Sequence, residues 1–186
     1  MTKTLKNLIE SYQKGELNTP NIEVIDRIFS DEMIKFTDDV LLDLTFSRAF
    51  FEKSRLTKIR FCNGSFGSSF FKDCFLENCV FLNIHFQEME SLKCIFKNCL
   101  FMDCIFVDSE ISETIFENCT FSKGSVDDSE FQSCHFINTV FRDVTFGFGT
   151  LIDSKFSDSK KSIEFEGEVY FNDIFDQIDK FHISEE

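Results

Sequence analysis

The chain has 186 residues, enough for one domain with a sizeable core, and carries a formal charge of −14 from 19 basic and 33 acidic side chains. That balance excludes a nucleic-acid binder held by phosphate contacts and a protein docked on an anionic membrane. It suits solubility, attraction to basic partners or imitation of a polyanion.

Composition is skewed as well: Phe occurs 27 times, Trp is absent and Pro appears once. Such use of one aromatic residue points to a repeat. The start, MTKTLKNLIESYQKG, lacks the apolar run of a signal peptide, and nowhere do about 18 apolar residues run together. A cytoplasmic protein with reduced thiols is expected, with no membrane attachment. Leu5, Leu8, Ile9 and Tyr12 fall on one helical face, and Gly15 follows as a stop. Thr19-Pro20 reads as a second helix start, with Ile22, Ile25 and Phe29 along one side. Residues 1–33 are therefore expected to form a helical cap.

Over residues 34–160 the pattern changes to a period of five. Positions 36, 41, 46 and onward to 156 make 25 sites, of which Phe fills 18. Leu41, Leu56, Leu76, Leu151, Ile111, Val126 and Ser91 fill the remainder. Two residues before each site the side chain is mostly Cys, Ser, Thr, Ala or Gly; two residues after it, Asn or Asp recurs, as in Cys94-Ile95-Phe96-Lys97-Asn98. Five fits neither a helix of 3.6 residues per turn nor a two-residue strand alternation. It fits a chain that puts one large and one small side chain inward per short strand and then turns a corner. The register is expected to run unbroken, with Ser91 as the weakest point and Leu92 a candidate to take its inward role.

This small-x-(Leu or Phe)-x-x pattern resembles the pentapeptide-repeat family. The resemblance implies an all-β solenoid, a right-handed quadrilateral β-helix of four pentapeptides and so 20 residues per coil. Twenty-five repeats then make about six coils, a rod of roughly 30 Å at the spacing of paired strands. Within residues 161–186, Phe171, Ile174, Phe175, Ile178 and Phe181 form a second apolar stripe. It reads as a short C-terminal helix, serving as a cap or as a homodimer contact.

Wrapping the chain every 20 residues stacks it into columns. Glu88, Asp108 and Asp128 share one, and Glu90, Glu110 and Glu130 another around the same corner, with Glu113 and Asp127 nearby. Like charges about 5 Å apart repel by roughly 0.8 kcal/mol per pair even in water. The edge reads either as a solvated, aggregation-blocking face, as a ridge for a basic partner, or as a divalent-cation site. Phe75, Ile95 and Ile115 on one face, and Val80, Leu82, Leu100, Met102 and Val140 on the next, should point outward as one contiguous apolar patch. That patch reads as an interface or as a surface covered by N-terminal helices. The Asn78, Asn98, Asn118 and Asn138 column reads as turn chemistry.

Seven cysteines (Cys74, Cys79, Cys94, Cys99, Cys104, Cys119 and Cys134) hold the small inward site, spaced as the repeat and not as a zinc motif; Cys62 alone should face out. His85, His135 and His182 are too scattered for a catalytic pair, and no phosphate loop or nucleophile motif is present. No catalytic, cofactor-binding or metal residue is expected. The reading is a non-catalytic scaffold that binds a protein partner. The alternative, implied by resemblance to acidic pentapeptide-repeat rods that bind DNA gyrase, is DNA mimicry giving resistance to quinolones or toxins, without direct nucleic-acid binding.

Overall fold

The computed structural model describes residues 44–146 without a break. Outside them it describes Asn7, Glu10, Ser11 and Lys14 and residues 22–25, 28–30, 33–42, 150–152, 154–156 and 165–166. Each five-residue unit makes one side of a four-sided coil. Three residues form a strand, such as Ile95–Lys97, Leu100–Met102 or Ile105–Val107, whose central Phe is buried between two half-buried neighbours. The next residue turns the corner. Every fifth residue from Arg48 to Asp143, Gly excepted nowhere, has a positive φ of 48–57°. Left-handed backbone costs an ordinary side chain about 1–2 kcal/mol, and Asn and Asp tolerate it best. They hold more than half of these corners, which explains their recurrence two residues after the inward site. Corner N–H groups reach the neighbouring coil, Asn98 N donating to the Glu117 carbonyl at 2.8 Å and Asn118 N to that of Ile137 at 2.8 Å.

The small residue after each corner has its own task. Its side chain satisfies interior backbone that the strand ladder leaves out: Ser109 Oγ lies 2.8 Å from the Phe86 carbonyl and accepts the Met89 N–H at 3.1 Å. Cysteine thiols reach carbonyls in the same way, Cys104 Sγ to Phe81 O at 3.3 Å and Cys119 Sγ to Phe96 O at 3.3 Å. Gly124 stands where a Cβ would collide with the Cys104 carbonyl oxygen, so only Gly fits that approach.

Coil stacks on coil by parallel pairing twenty residues apart: Phe61 on Phe81, Phe101, Phe121 and Phe141, and Leu56 on Leu76, Phe96, Phe116 and Phe136. The inward columns become stacks of rings, Phe81–Phe101 at 4.8 Å and 4°, Phe101–Phe121 at 4.5 Å and 5°. Rings of adjacent faces meet steeply, Phe81–Phe86 at 5.6 Å and 61°. The sides are numbered here by their inward columns: face one through Phe46 and Phe66, face two through Phe51 and Phe71, face three through Leu56 and Leu76, face four through Phe61 and Phe81. Over residues 44–146 they complete about five turns of an all-β solenoid.

The register is narrower than expected. It holds at twenty from Phe46 through Phe156, but the preceding coil pairs at twenty-two, Ile22 with Leu44, Ile28 with Phe50 and Ile34 with Leu56. It then slips between Lys35 and Val40, so that Leu41 meets Arg60 and neither Phe36 nor Leu41 sits at the expected site. The expected second helix is also overturned: Ile22–Ile25 and Ile28–Ser30 are strands. The β-branched run prefers a strand once a free sheet edge is present, and Phe29 is buried there, stacked on Phe51 at 5.0 Å. Asn7, Glu10 and Ser11 have helical backbone. The C-terminal stripe from Phe171 to Phe181 lies outside the described residues.

Ser91 keeps the inward position. It is buried between Phe71 and Ile111, with Oγ 3.2 Å from Thr114 Oγ1, while Leu92 stays on the outer surface. Moving Leu92 inward would shift the strand by one residue and reverse every side chain on it, Glu90 included. The consequence is a cavity of about 10 Å³ bounded by Phe71, Phe81, Phe86, Phe96, Ser91 and Ile111.

Candidate interaction surface

Exact stacking sets the outer surface as firmly as the core. Glu88, Asp108 and Asp128 occupy successive corners between faces one and two, with φ of 52°, 51° and 48°, and all three are exposed. Glu90, Glu110 and Glu130 begin successive strands of face two and pair directly, Glu90 with Glu110 and Glu110 with Glu130. The six carboxylates are thus brought onto one edge over three coils. Ser68 donates to Glu88 at 2.9 Å, and among the described residues none of the six enters an ion pair. Bases elsewhere are paired: Lys93 with Glu113 at 3.8 Å, Lys97 with Glu117 at 2.7 Å, Arg55 with Glu77 at 3.4 Å. Among the described residues no three His, Cys, Asp or Glu side chains converge on a point that could hold a metal ion. The edge is a line of charge, not a coordination sphere.

The apolar residues divide into two stripes. Phe75, Ile95 and Ile115 form one column on face three, with the Arg55 guanidinium 4.3 Å above the Phe75 ring. Val80 pairs with Leu100, and Leu82 with Met102, on face four, whereas Val140 is set apart by Thr120. All eight are half-buried. The expected single patch is corrected here: the Glu77, Lys97 and Glu117 column and the corner residues Asn78, Asn98 and Asn118 run between the stripes. A strand's two outward residues flank each corner, so a polar residue at either position divides neighbouring faces.

Phe50 and Phe70 escaped the sequence reading. They pair on the outer side of face two, rings 5.1 Å apart, and Phe70 is followed in the same column by Glu90. The signal was the doubled Phe at 50–51 and again at 70–71, one coil apart, where only one of each pair can face inward.

The eight cysteines are free and buried. Cys62 departs from expectation, at 5 % exposure, because its small side chain sits beside the larger Leu82 with which it pairs. Burial pushes the Cys104 thiol up to about 12 and that of Cys134 up to about 11. Cys79 is raised first by its hydrogen bond with the Cys99 thiol and then by burial. Cys79, Cys104 and Cys134 therefore resist ionisation and act as packing residues.

Comparison with known proteins gives few matches in sequence. The SV2A/B/C luminal domain family matches residues 76–146, and no curated protein matches the chain. Among solved structures the chain is similar to a trypsin-treated form of QnrB1, a plasmid-mediated fluoroquinolone resistance protein, at 13% identity and a TM-score of 0.28, covering 73% of this chain and 84% of that one. It is similar to the pentapeptide-repeat protein Rfr23 of the cyanobacterium Cyanothece at 8% identity and a TM-score of 0.29, covering 86% and 99%. A candidate glycosyl hydrolase from Parabacteroides merdae matches at 8% identity and a TM-score of 0.30, covering 81% and 89%. At these scores the likeness carries no argument of its own, and the architecture rests on this chain's register. By the five-residue period of its sequence and the four-sided, twenty-residue coil of its structure, the chain is a pentapeptide-repeat β-solenoid.

Proposed function

We propose that the chain is a non-catalytic scaffold that binds a protein partner through its acidic edge, the partner presenting basic side chains. One observation carries the reading: Glu88, Glu90, Asp108, Glu110, Asp128 and Glu130 stand in two columns, and none of the six enters an ion pair among the described residues. Like charges held one coil apart, about 4.8 Å, oppose stacking, and a cationic surface would offset that repulsion. Phe50 and Phe70, in line with the carboxylates, supply an apolar anchor at one end. The apolar residues Phe75, Ile95, Ile115, Val80, Leu82, Leu100, Met102 and Val140 form a second contact surface in this reading.

Affinity capture from a cell lysate, comparing the chain with a Glu110→Lys, Glu130→Lys variant, tests it. A specific protein retained by the first and lost by the second is expected; identical retention by both removes the acidic edge from the function. Among the described residues no helix is long and apolar enough to cross a membrane.

The same unpaired edge favours a second reading, a polyanion mimic that occupies the DNA-binding surface of a topoisomerase. A supercoiling assay with purified gyrase decides it. Neither inhibition nor protection from a quinolone at micromolar concentration eliminates this reading and leaves the first standing.

A further inference from the structure

The column of small inward residues on face three runs Ser54, Cys74, Cys94, Thr114, Cys134 and Ser154, one residue per coil. Cys74 and Cys94 therefore stand on successive coils, which the Ile95 N–H joins by donating to the Cys74 carbonyl at 2.9 Å. Coil spacing puts their α-carbons about 4.8 Å apart, within the range of about 4.4–6.8 Å that a disulfide spans. The two thiols hydrogen-bond each other.

Cys94 differs from the other six inward cysteines. Each of those reaches the carbonyl 23 residues earlier, as Cys74 reaches Phe51 at 3.4 Å and Cys99 reaches Leu76 at 3.5 Å. Among the described residues Cys94 Sγ makes no such bond; its carbonyl contact is with Leu92, two residues back, at 3.5 Å. It also hydrogen-bonds Ser91, the residue that interrupts the inward ring ladder and bounds the cavity of about 10 Å³. Ser91 Oγ lies 3.2 Å from Thr114 Oγ1, which accepts the Cys94 N–H at 3.4 Å. Two thiols and two hydroxyls thus form one buried polar cluster at the break in the ladder. The hydrogen bond from Cys74 holds Cys94 below the usual thiol range, and the same bond, with burial, keeps the proton on Cys74.

Cys79, Cys99 and Cys119 stack at the same spacing, but each of their thiols is held on its carbonyl among close-packed rings. A disulfide needs β-carbons about 3.8 Å apart, so stacked cysteines must shift slightly to join. Cys94, bonded to the wall of a cavity, has room for that shift.

We propose that Cys74 and Cys94 are a peroxide-oxidisable pair that closes to a disulfide between adjacent coils. Hydrogen peroxide is close to water in size, and the cavity is near the lower limit for one water. The Cys94 thiolate attacks one peroxide oxygen; the S–O bond forms, the O–O bond breaks, and the departing hydroxide takes a proton to become water. The Cys74 sulfur then attacks the Cys94 sulfenic acid; the S–S bond forms, the S–O bond breaks, and hydroxide leaves with the Cys74 proton as a second water. Two thiols lose two electrons to the peroxide. The bond closes a loop of about 20 residues and ties the coils where ring stacking is interrupted. This site is independent of the acidic edge and of any partner bound there.

The test is peroxide treatment of the reduced full-length chain, followed by thiol blocking, unfolding and digestion without reductant. Trypsin cuts after Lys72, Lys93 and Lys97, so the bond joins peptide 73–93 to peptide 94–97. That linked pair should exceed the 73–93 to 98–123 pair, the product of a Cys79–Cys99 bond, by about tenfold. Cys74→Ser and Cys94→Ser should abolish it and Cys79→Ser should leave it; serine already stands in this column at Ser54 and Ser154, so the first two variants keep the packing. Ser91→Leu, which fills the cavity and removes the hydroxyl, should slow formation by about tenfold. Closure should raise the urea midpoint, and reductant should restore it. Recovery of all eight thiols after peroxide overturns the proposal, as does an equal yield of the Cys79–Cys99 product. A bond that forms only in urea, a yield that falls on hundredfold dilution, or an unchanged rate in Ser91→Leu overturns it as well.

Discussion

At every corner one residue holds a left-handed backbone, and its identity sets how much that costs. Asn98 stands at φ 53° and donates its side-chain amide to Asn78 at 3.3 Å. Asn98→Ala should destabilise the chain by about 1–2 kcal/mol, the cost of placing an ordinary residue there, seen as a lower urea midpoint with an unchanged slope. The inward thiols make a different demand. Cys134 titrates at about 11 in the folded chain against 9.0 for the free group, raised by burial. The folded state therefore holds this proton more tightly. The associated stabilisation is fully present below pH 9 and is lost as pH rises toward 11, at about 1.4 kcal/mol per pH unit. Ser occupies the same inward column at Ser54 and Ser154, so Cys134→Ser preserves the size of the side chain. Urea unfolding at pH 8 and pH 10 should show a steeper loss for the native chain than for the variant; equal losses would show that Cys134 does not titrate with unfolding.

Within the repeat, a strand's contribution depends on what its column already contains. Face two stacks Phe51 on Phe71 at 4.5 Å and then breaks at Ser91, where the cavity opens. Ser91→Leu buries roughly two to three additional carbons, worth about 2 kcal/mol, and forfeits a hydroxyl contact worth about 1 kcal/mol. Thr114 Oγ1 keeps its bond to the Ser112 carbonyl at 2.9 Å. A net gain of about 1 kcal/mol is expected from thermal or urea unfolding, and a loss would mean that the cavity cannot admit the side chain. Ile22–Ser30 illustrates the opposite dependence on surroundings. Ile22, Ile25 and Phe29 fit a helical stripe as well as they fit strands, and periodicity alone cannot separate the two over so short a run. The available edge at Leu44–Ser47 and Phe50–Glu52 decided it. Cys62 is similar: its position in the repeat points outward, but the size of the paired Leu82 covers it.

For the molecule as a whole, the regularity that builds the core also concentrates charge. Glu110 lies between Glu90 and Glu130, each one coil away. Glu110→Gln should stabilise the free chain by up to about 1 kcal/mol at low ionic strength, with the gain fading in high salt. Urea unfolding at low and high sodium chloride measures this, and an equal gain at both would trace the effect to something other than repulsion. The sequence by itself determined the period, the inward columns, the packing role of the seven repeat cysteines and the columns of the acidic edge. Each of these follows from one residue's place in a unit of five, repeated at constant register, so a local pattern carries the long-range contact. Only the tertiary structure decided where that register begins, which way Ile22–Ser30 folds, that Ser91 stays inside and that the apolar surface is two stripes. Those outcomes depend on which edge, neighbour or corner lies beside a residue one coil away, and side-chain size and pairing across that gap are not written in the period.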